Sequence, residues 1–470
     1  MPLTATSQRP LGAVTLHAER VRIEATVVAA IGLAILSNGP SVFLSRHYAV
    51  PLGWESWPYL VPMGFVAFAG VFLVGHSLDG KQLRLARWPL AFMAAYLGWS
   101  IMSVMWSVAP DATAARSLLT MGAALFGIWF GLSMSFKEQL LAVSTAMASL
   151  TVWSLGVILL QPHSHQIYPP PWHPGWHTTV FGIFGNPNSL GPVAALTVLS
   201  GIGMWLVFPN VAARLWAVLT SVVGIVLVLW SQCETAIAGL FIGAMAIILA
   251  LTLPLIRRIR WWMVAGSIVG GTLIVWQVAF AHIDRLAPMV GADSMLSSRR
   301  IIWRDVREAI ALRPWRGYGF FAYWDNAELT AATYQRVGAA YGSAHNSILE
   351  VALGLGRVGL VVYVGLAGFM IVGVARSLWR LTSAVTVAWV VLVLFLIVQN
   401  SMESFVLWHS YLWALFAAAV VVPCRLISLP ASPQSRAIHD DSASNASIDP
   451  DEFIRDDTTL VGITGSTDAN

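Results

Sequence analysis

Long apolar runs alternate with short polar connectors along most of the chain, and each run is close to the ~20 residues that cross a bilayer as a helix. Read this way, the pattern predicts about twelve spans. Their cores fall at 23–44, 57–76, 88–108, 115–134, 139–161, 189–208, 214–231, 235–254, 261–281, 348–375, 383–400 and 404–424. The expected fold class is therefore an all-α polytopic membrane protein. Gly39-Pro40 interrupts the first run. Two connectors, 162–188 and 282–347, are long. Within the second, residues 299–312 change period. Ile302, Val306 and Ile310 form one stripe with Trp303 beside it, and Arg300, Arg304 and Arg307 lie on another face. This predicts an amphipathic helix on or near the membrane surface. Pro314 ends it, and Gly317 and Gly319 permit a tight turn that can bring backbone close to a ligand.

Composition agrees with the pattern. Of 470 residues, 57% are hydrophobic and only 11% charged, against about 25% charged in soluble domains. No soluble core hides that much apolar surface. The net charge of +4 averages over separate loops, so it gives no reason to expect nucleic acid as a partner. Tryptophans such as Trp54, Trp57, Trp88 and Trp261 stand near span ends, where an apolar ring with a polar N–H is favoured. Cys233 and Cys424 lie at the ends of different spans and suggest neither a disulfide nor a metal site.

Charge asymmetry sets the expected orientation. One set of connectors carries Arg9, Arg20, Arg22, Lys81, Arg84, Arg87, Lys137, Arg214, Arg257, Arg258, Arg260, Arg376, Arg380 and Arg425. The short connectors of the other set carry Arg46 and Arg116. Both termini are thus expected in the cytoplasm, with 162–188 and 282–347 outside. Residues 1–22 form a cytoplasmic segment without a cleavable-signal pattern, so the first span is expected to be retained as an anchor. Residues 23–429 form the membrane-embedded domain. The Ser-, Asp- and Asn-rich stretch 430–470 is expected to be a disordered cytoplasmic tail.

The outer loop 282–347 is where chemistry concentrates. Eight arginines lie between Arg285 and Arg336, in a chain with two lysines. Guanidinium groups match phosphate oxygens in a bidentate way and stay charged. Residue chemistry alone leaves two readings: a solvated cationic face partly paired with Asp305 and Glu308, or a grip on an anion. His345 and Asn346 stand at the water-facing start of the tenth span. Neutral imidazole can serve as a general base. Equally, His and Asn can satisfy free N–H groups at a helix start. Glu350 follows inside the span, where a carboxylate needs a partner, and pairing with an arginine is expected.

The loop at 162–188 holds His163, His165, His173 and His177 in a spacing unlike zinc patterns, and no metal is expected. Trp172 and Trp176 could stack on sugars or anchor at the interface. In GNPNSLG, Asn186 and Asn188 could orient sugar hydroxyls or cap the following helix.

Taken together, SSRRIIW, then GYGFFAYW, then AHNSILE about thirty residues later, with GIFGNPNSLG upstream, resemble the O-antigen ligase and Wzy-type polymerase family. The likeness covers most of residues 180–365, and the wording GYGFFAYW is nearer the exopolysaccharide polymerase branch. The resemblance implies metal-independent, inverting glycosyl transfer at the periplasmic face of a bacterial inner membrane, without a cofactor. The implied donor is a glycan on undecaprenyl diphosphate and the acceptor another glycan. A chain-length regulator is a candidate partner, alongside the bilayer itself. Arg299 and His345 take the catalytic positions. Arg300, Arg304, Arg316, Asn186, Asn188 and Asn346 complete the expected substrate-binding set. Ser298 stands where the family usually has glycine, and Glu234 in SQCETAIAG stands where it often has a basic residue. A second cation for the diphosphate is then expected from Arg304 or Arg316. Two other readings are ligation of finished glycan to lipid A core or a protein hydroxyl, and transport of a lipid-linked sugar.

Overall fold

The computed structural model describes residues 11–47, 64, 70, 80–167, 178–252, 293–338, 341–379, 384–404 and 410–428. The expected spans at 57–76 and 261–281 and the tail at 430–470 lie outside or almost outside these residues, as do Trp172, His173, Trp176 and His177. The described chain is helical apart from a two-stranded ladder, so the all-α polytopic class holds. Six helices are long and apolar enough to cross a membrane, or up to seven if the bent pair at Val21–Leu36 and Gly39–Ser45 is one span. Three shorter apolar helices accompany them.

In order, the helices are α1 Leu11–Leu36, α2 Gly39–His47, α3 Gly80–Leu85, α4 Arg87–Met102, α5 Pro110–Ser133, α6 Phe136–Leu160, α7 Pro162–His165, α8 Pro187–Val207, α9 Val211–Ser231, α10 Glu234–Thr252, α11 Asp293–Leu312, α12 Ala327–Val337, α13 Ser347–Trp379, α14 Ala384–Met402 and α15 Tyr411–Ser428. The strands β1 Gln166–Ile167 and β2 Thr179–Val180 pair antiparallel. The interruption expected at Gly39-Pro40 is a bend of 51° between α1 and α2.

Helix α8 is apolar all round and mostly buried, packed against α6, α9, α10 and α14. Close packing between apolar helices depends on small residues. Gly127 and Gly131 on α5 face the backbone of Ala414 and Ala418 on α15, so a Cβ at either glycine would strike that backbone. This small-xxx-small pairing lets two helices approach where lipid offers no hydrophobic driving force. In the connectors, Ser135 and Glu138 form a reciprocal capping box at the start of α6.

Helix α13 is broken. Gly356 has φ 65 and ψ −166, which ends one helical segment and starts another. A broken helix in a membrane must find new partners for its freed backbone groups. Here the loop after α11 supplies them. Tyr318 N donates to Leu353 O at 2.9 Å, Gly319 N to Gly354 O at 2.9 Å, and Arg357 N to Pro314 O at 2.8 Å. Trp99 Nε1 donates to Leu355 O at 3.0 Å. The turn permitted by Gly317 (φ 69) and Gly319 (φ 99) thus brings backbone against backbone. This corrects the expectation of a ligand-facing turn.

Candidate functional site

Helix α11 is the amphipathic helix expected over 299–312. Ile302, Trp303, Val306 and Ala309 are buried in a small core with Tyr318, Tyr323, Trp324 and Leu353, while Arg300, Arg304 and Arg307 are exposed. Helix α12 is clasped to it by Asp305, which accepts from Thr333 Oγ1 at 2.9 Å and from Arg336 Nη2 at 2.5 Å. Burial pushes the Asp305 carboxyl up, but the Arg336 and Thr333 bonds outweigh it and hold the group below its ordinary value. Burial also pushes the Tyr323 phenol up to about 12, so it remains a donor, to Leu329 O at 3.2 Å.

The chain then returns to the start of α13 under tight control. Tyr334 OH donates to Tyr341 O at 2.6 Å. The Ala344 peptide is held from both sides: its N–H donates to Glu350 Oε2 at 2.6 Å, and its carbonyl accepts from Trp303 Nε1 at 2.7 Å. Trp324 Nε1 donates to the other Glu350 oxygen at 2.9 Å. The expected arginine partner of Glu350 is therefore replaced by an indole and a backbone N–H, which satisfy the buried carboxylate without a second charge. The next residue, His345, has φ 50, a left-handed conformation uncommon outside glycine.

That conformation turns the His345 ring toward Glu403, at the end of α14. His345 Nδ1 lies 2.7 Å from Glu403 Oε2, and Arg299 Nη2 lies 2.7 Å from Glu403 Oε1. The side chains of Arg299, Glu403 and His345 are 11%, 1% and 18% exposed. One buried carboxylate thus bridges the two residues given catalytic positions by the motif resemblance. A carboxylate only accepts, so Nδ1 carries the shared proton and Nε2 is left as the basic nitrogen. Asn346 caps α13 through Leu349 N at 3.1 Å and ties it to α14 through Ser401 O at 3.1 Å. Its backbone N–H donates to Ser404 Oγ at 3.1 Å, and Ser347 Oγ donates to Glu403 O at 3.0 Å. Tyr341 stands edge-on to the His345 ring, with centroids 5.8 Å apart.

The remaining expected residues divide. Arg300 is exposed and next to Arg299. Arg304 is exposed and bonds Asp305 at 3.3 Å. Arg316 is exposed, stacks 5.7 Å over Trp106 and lies beyond the far end of α11. Asn186 caps α8 by accepting from Asn188 N at 2.8 Å. The same element's Gly191 faces Cys233 at the turn between α9 and α10, and Gln399 Nε2 donates to Thr235 O, at the start of α10, at 3.2 Å. The N-terminus of α8 is thereby tied to the α14 end that carries Glu403. Glu234 is exposed beside this turn. In the connector between α6 and α8, His165 is buried and its Nδ1 pairs with Gly182 O at 2.8 Å, while His163 is exposed.

Glu403 escaped the sequence reading. It lies 104 residues from Arg299 and 58 from His345, and no local motif surrounds it. The available signal was a lone carboxylate between two apolar spans, which demands a partner.

The fold and site define a multi-pass membrane protein whose polar machinery sits at one end of a helix bundle. Residues 219–364 match the family model described as O-Antigen ligase, so the resemblance drawn from the motifs holds over that stretch. The chain is similar to an exopolysaccharide production protein, ExoQ, of Rhizobium meliloti (strain 1021), 28% identical over 200 residues. That match covers 38% of this chain and 43% of the relative. It is also similar to a putative polysaccharide ligase of Rickettsia felis (strain ATCC VR-1525 / URRWXCal2), 25% identical over 176 residues, covering 36% and 42% respectively. The matches thus span less than half the length of both relatives.

Proposed function

We propose that this protein transfers a glycan from a polyprenyl diphosphate to an acceptor sugar hydroxyl, extending a polysaccharide at the outer face of a bacterial inner membrane. The observation that carries the reading is the Arg299–Glu403–His345 bridge, of which Arg299 and His345 lie in the stretch similar to the O-antigen ligase family. Glu403 fixes the His345 tautomer and ring, as an orienting carboxylate does for a general base. Nε2 of His345 takes the proton from the acceptor hydroxyl. The freed oxygen attacks the anomeric carbon from the face opposite the diphosphate, and the anomeric configuration inverts. The C–O bond to the diphosphate breaks, and negative charge grows on the leaving group. Arg299 and the exposed Arg300 stabilise that charge more in the transition state than in the ground state. Asn346, Asn186 and Asn188 are the amides assigned to sugar hydroxyls, and Arg304 supports the diphosphate. No metal or cofactor takes part.

Arg299→Ala and His345→Ala are expected to abolish glycan extension while the protein inserts at normal abundance. Normal polymer length in either variant would remove the site assignment. Release of polyprenyl diphosphate by purified protein given donor and acceptor separates transfer from transport, because transport breaks no bond.

The name of the Rickettsia relative and the family description favour a second reading, in which the acceptor is a lipid A core or a protein hydroxyl. Glycan banding decides between them. Loss of a polymerase leaves single repeat units, and loss of a ligase leaves full-length polymer unattached.

A further inference from the structure

A second cluster of arginines lies at the opposite end of α11 from Arg299. Arg313 stacks over Tyr318 with its guanidinium carbon 4.6 Å from the ring centre. Arg316 stacks over Trp106 at 5.7 Å, and Arg357 over Trp315 at 5.2 Å. The three stacks form one patch. Trp106 Nε1 donates to Arg316 O at 2.9 Å, and Arg357 N donates to Pro314 O. Trp99 packs 5.1 Å from Trp106. None of these three arginines is in an ion pair among the described residues. The patch is open: Trp315 is 62% exposed, and Leu312, Met105 and Val358 are exposed around it.

Its level in the bilayer follows from the break in α13. Beyond Gly356, residues Arg357 to Trp379 make about 35 Å of helix, enough to cross a ~30 Å hydrocarbon core by themselves. If this segment is the one that crosses, Arg357 heads it and lies at the boundary where lipid phosphates lie. Trp106, at the end of the apolar stretch Arg87–Trp106, stands at the same boundary. Stacking covers one guanidinium face with aromatic surface and leaves the N–H edge directed outward. Exposed apolar side chains beside the patch suit acyl chains.

We propose that Arg313, Arg316 and Arg357 form a headgroup site for an anionic phospholipid, which holds the loop 313–319 in the break of α13. A phospholipid fits better than the glycan donor because the patch is roughly 20 Å along α11 from Arg299. A donor diphosphate bound there would leave His345 out of reach.

The test uses the full chain in nanodiscs of equal parts phosphatidylcholine and phosphatidylglycerol, with lipids retained on ejection counted by native mass spectrometry. Wild-type protein is expected to retain phosphatidylglycerol in preference. R316Q and R357Q should each lower that preference about fivefold, and the triple variant with R313Q should remove it. R307Q, the same charge change on an exposed face of α11, should leave it intact. Equal retention of the two lipids by wild type, or an equal loss in R307Q, would overturn the site. So would tighter retention of added undecaprenyl diphosphate than of phosphatidylglycerol, lost in R316Q. Because the readout is bound lipid, it stands or falls apart from glycan transfer.

Discussion

Glu403 receives His345 on one oxygen and Arg299 on the other, each at 2.7 Å, from a side chain 1% exposed. A carboxylate so placed does two jobs through one group. It sets which nitrogen of His345 is basic, and it holds Arg299 on its other oxygen. Glu403→Gln keeps the size and can still accept from one partner, but it removes the charge that favours the Nδ1–H tautomer. Turnover at saturating donor is expected to fall by about 10²-fold or more, in the range general-base catalysis contributes. Membrane abundance and thermal stability should change little by comparison. The measurement is polyprenyl diphosphate released per protein. Turnover within a few-fold of wild type would remove Glu403 as a positioning residue.

Glu350 acts one peptide earlier. It accepts from Trp324 and from the Ala344 N–H, and so fixes the backbone that presents His345 in its left-handed conformation. Glu350→Ala leaves two buried donors without acceptors, at a cost of about 1–3 kcal/mol each. Glu350→Gln keeps one acceptor oxygen and is expected to recover about half of the lost stability. Thermal unfolding in detergent orders wild type, E350Q and E350A. An E350A protein as stable as wild type would mean that the clasp around Ala344 is not formed.

The break in α13 makes a sharp contrast between two glycines that share a positive φ. A Cβ on Gly317 (φ 69) would lie 2.5 Å from the Gly354 carbonyl, whereas around Gly338 (φ 76) nothing lies within 4 Å. Gly317→Ala is expected to cost more than about 3 kcal/mol, from backbone strain and overlap together. Gly338→Ala should cost about 1 kcal/mol, from the left-handed conformation alone. Fluorescence-monitored size exclusion after a temperature ramp separates the two. Equal tolerance would mean that loop 313–319 does not occupy the break.

Which of these features could be read from the sequence follows from their range along the chain. Helix α11 was legible because Ile302 and Val306 recur on one face and Arg300, Arg304 and Arg307 on another, a signal contained within a few turns. The bend at Gly39-Pro40 was legible for the same reason. Arg299 and His345 were found through motif wording, although their meeting point was not. Glu403 joins them only after α11, α13 and α14 have packed, and nothing local marks it. The partner of Glu350 was misjudged because charge pairing is the simplest rule for a buried carboxylate. Here an indole and a peptide N–H, brought from 26 and 6 residues away, do the same work. The role of GLGRVG was hidden too, because the use of Gly354 and Gly356 depends on a loop some forty residues earlier.

Acid should weaken the clasp between α11 and α12 in a defined window. Asp305 is held below its ordinary value in the folded protein, with burial outweighed by Arg336 and Thr333. A carboxyl with a depressed folded pKa contributes stability that is fully present above the unfolded value and lost as pH falls through the folded one. The clasp between α11 and α12 is therefore intact at neutral pH and loosens only below about pH 4. Asp305→Asn removes the titrating group. The difference in unfolding temperature between wild type and D305N is expected to be constant above about pH 5 and to close as pH falls toward 3. Purified protein scanned at intervals across that range measures it. A gap that stays level or widens in acid would mean that Asp305 does not hold Arg336 and Thr333 as a carboxylate.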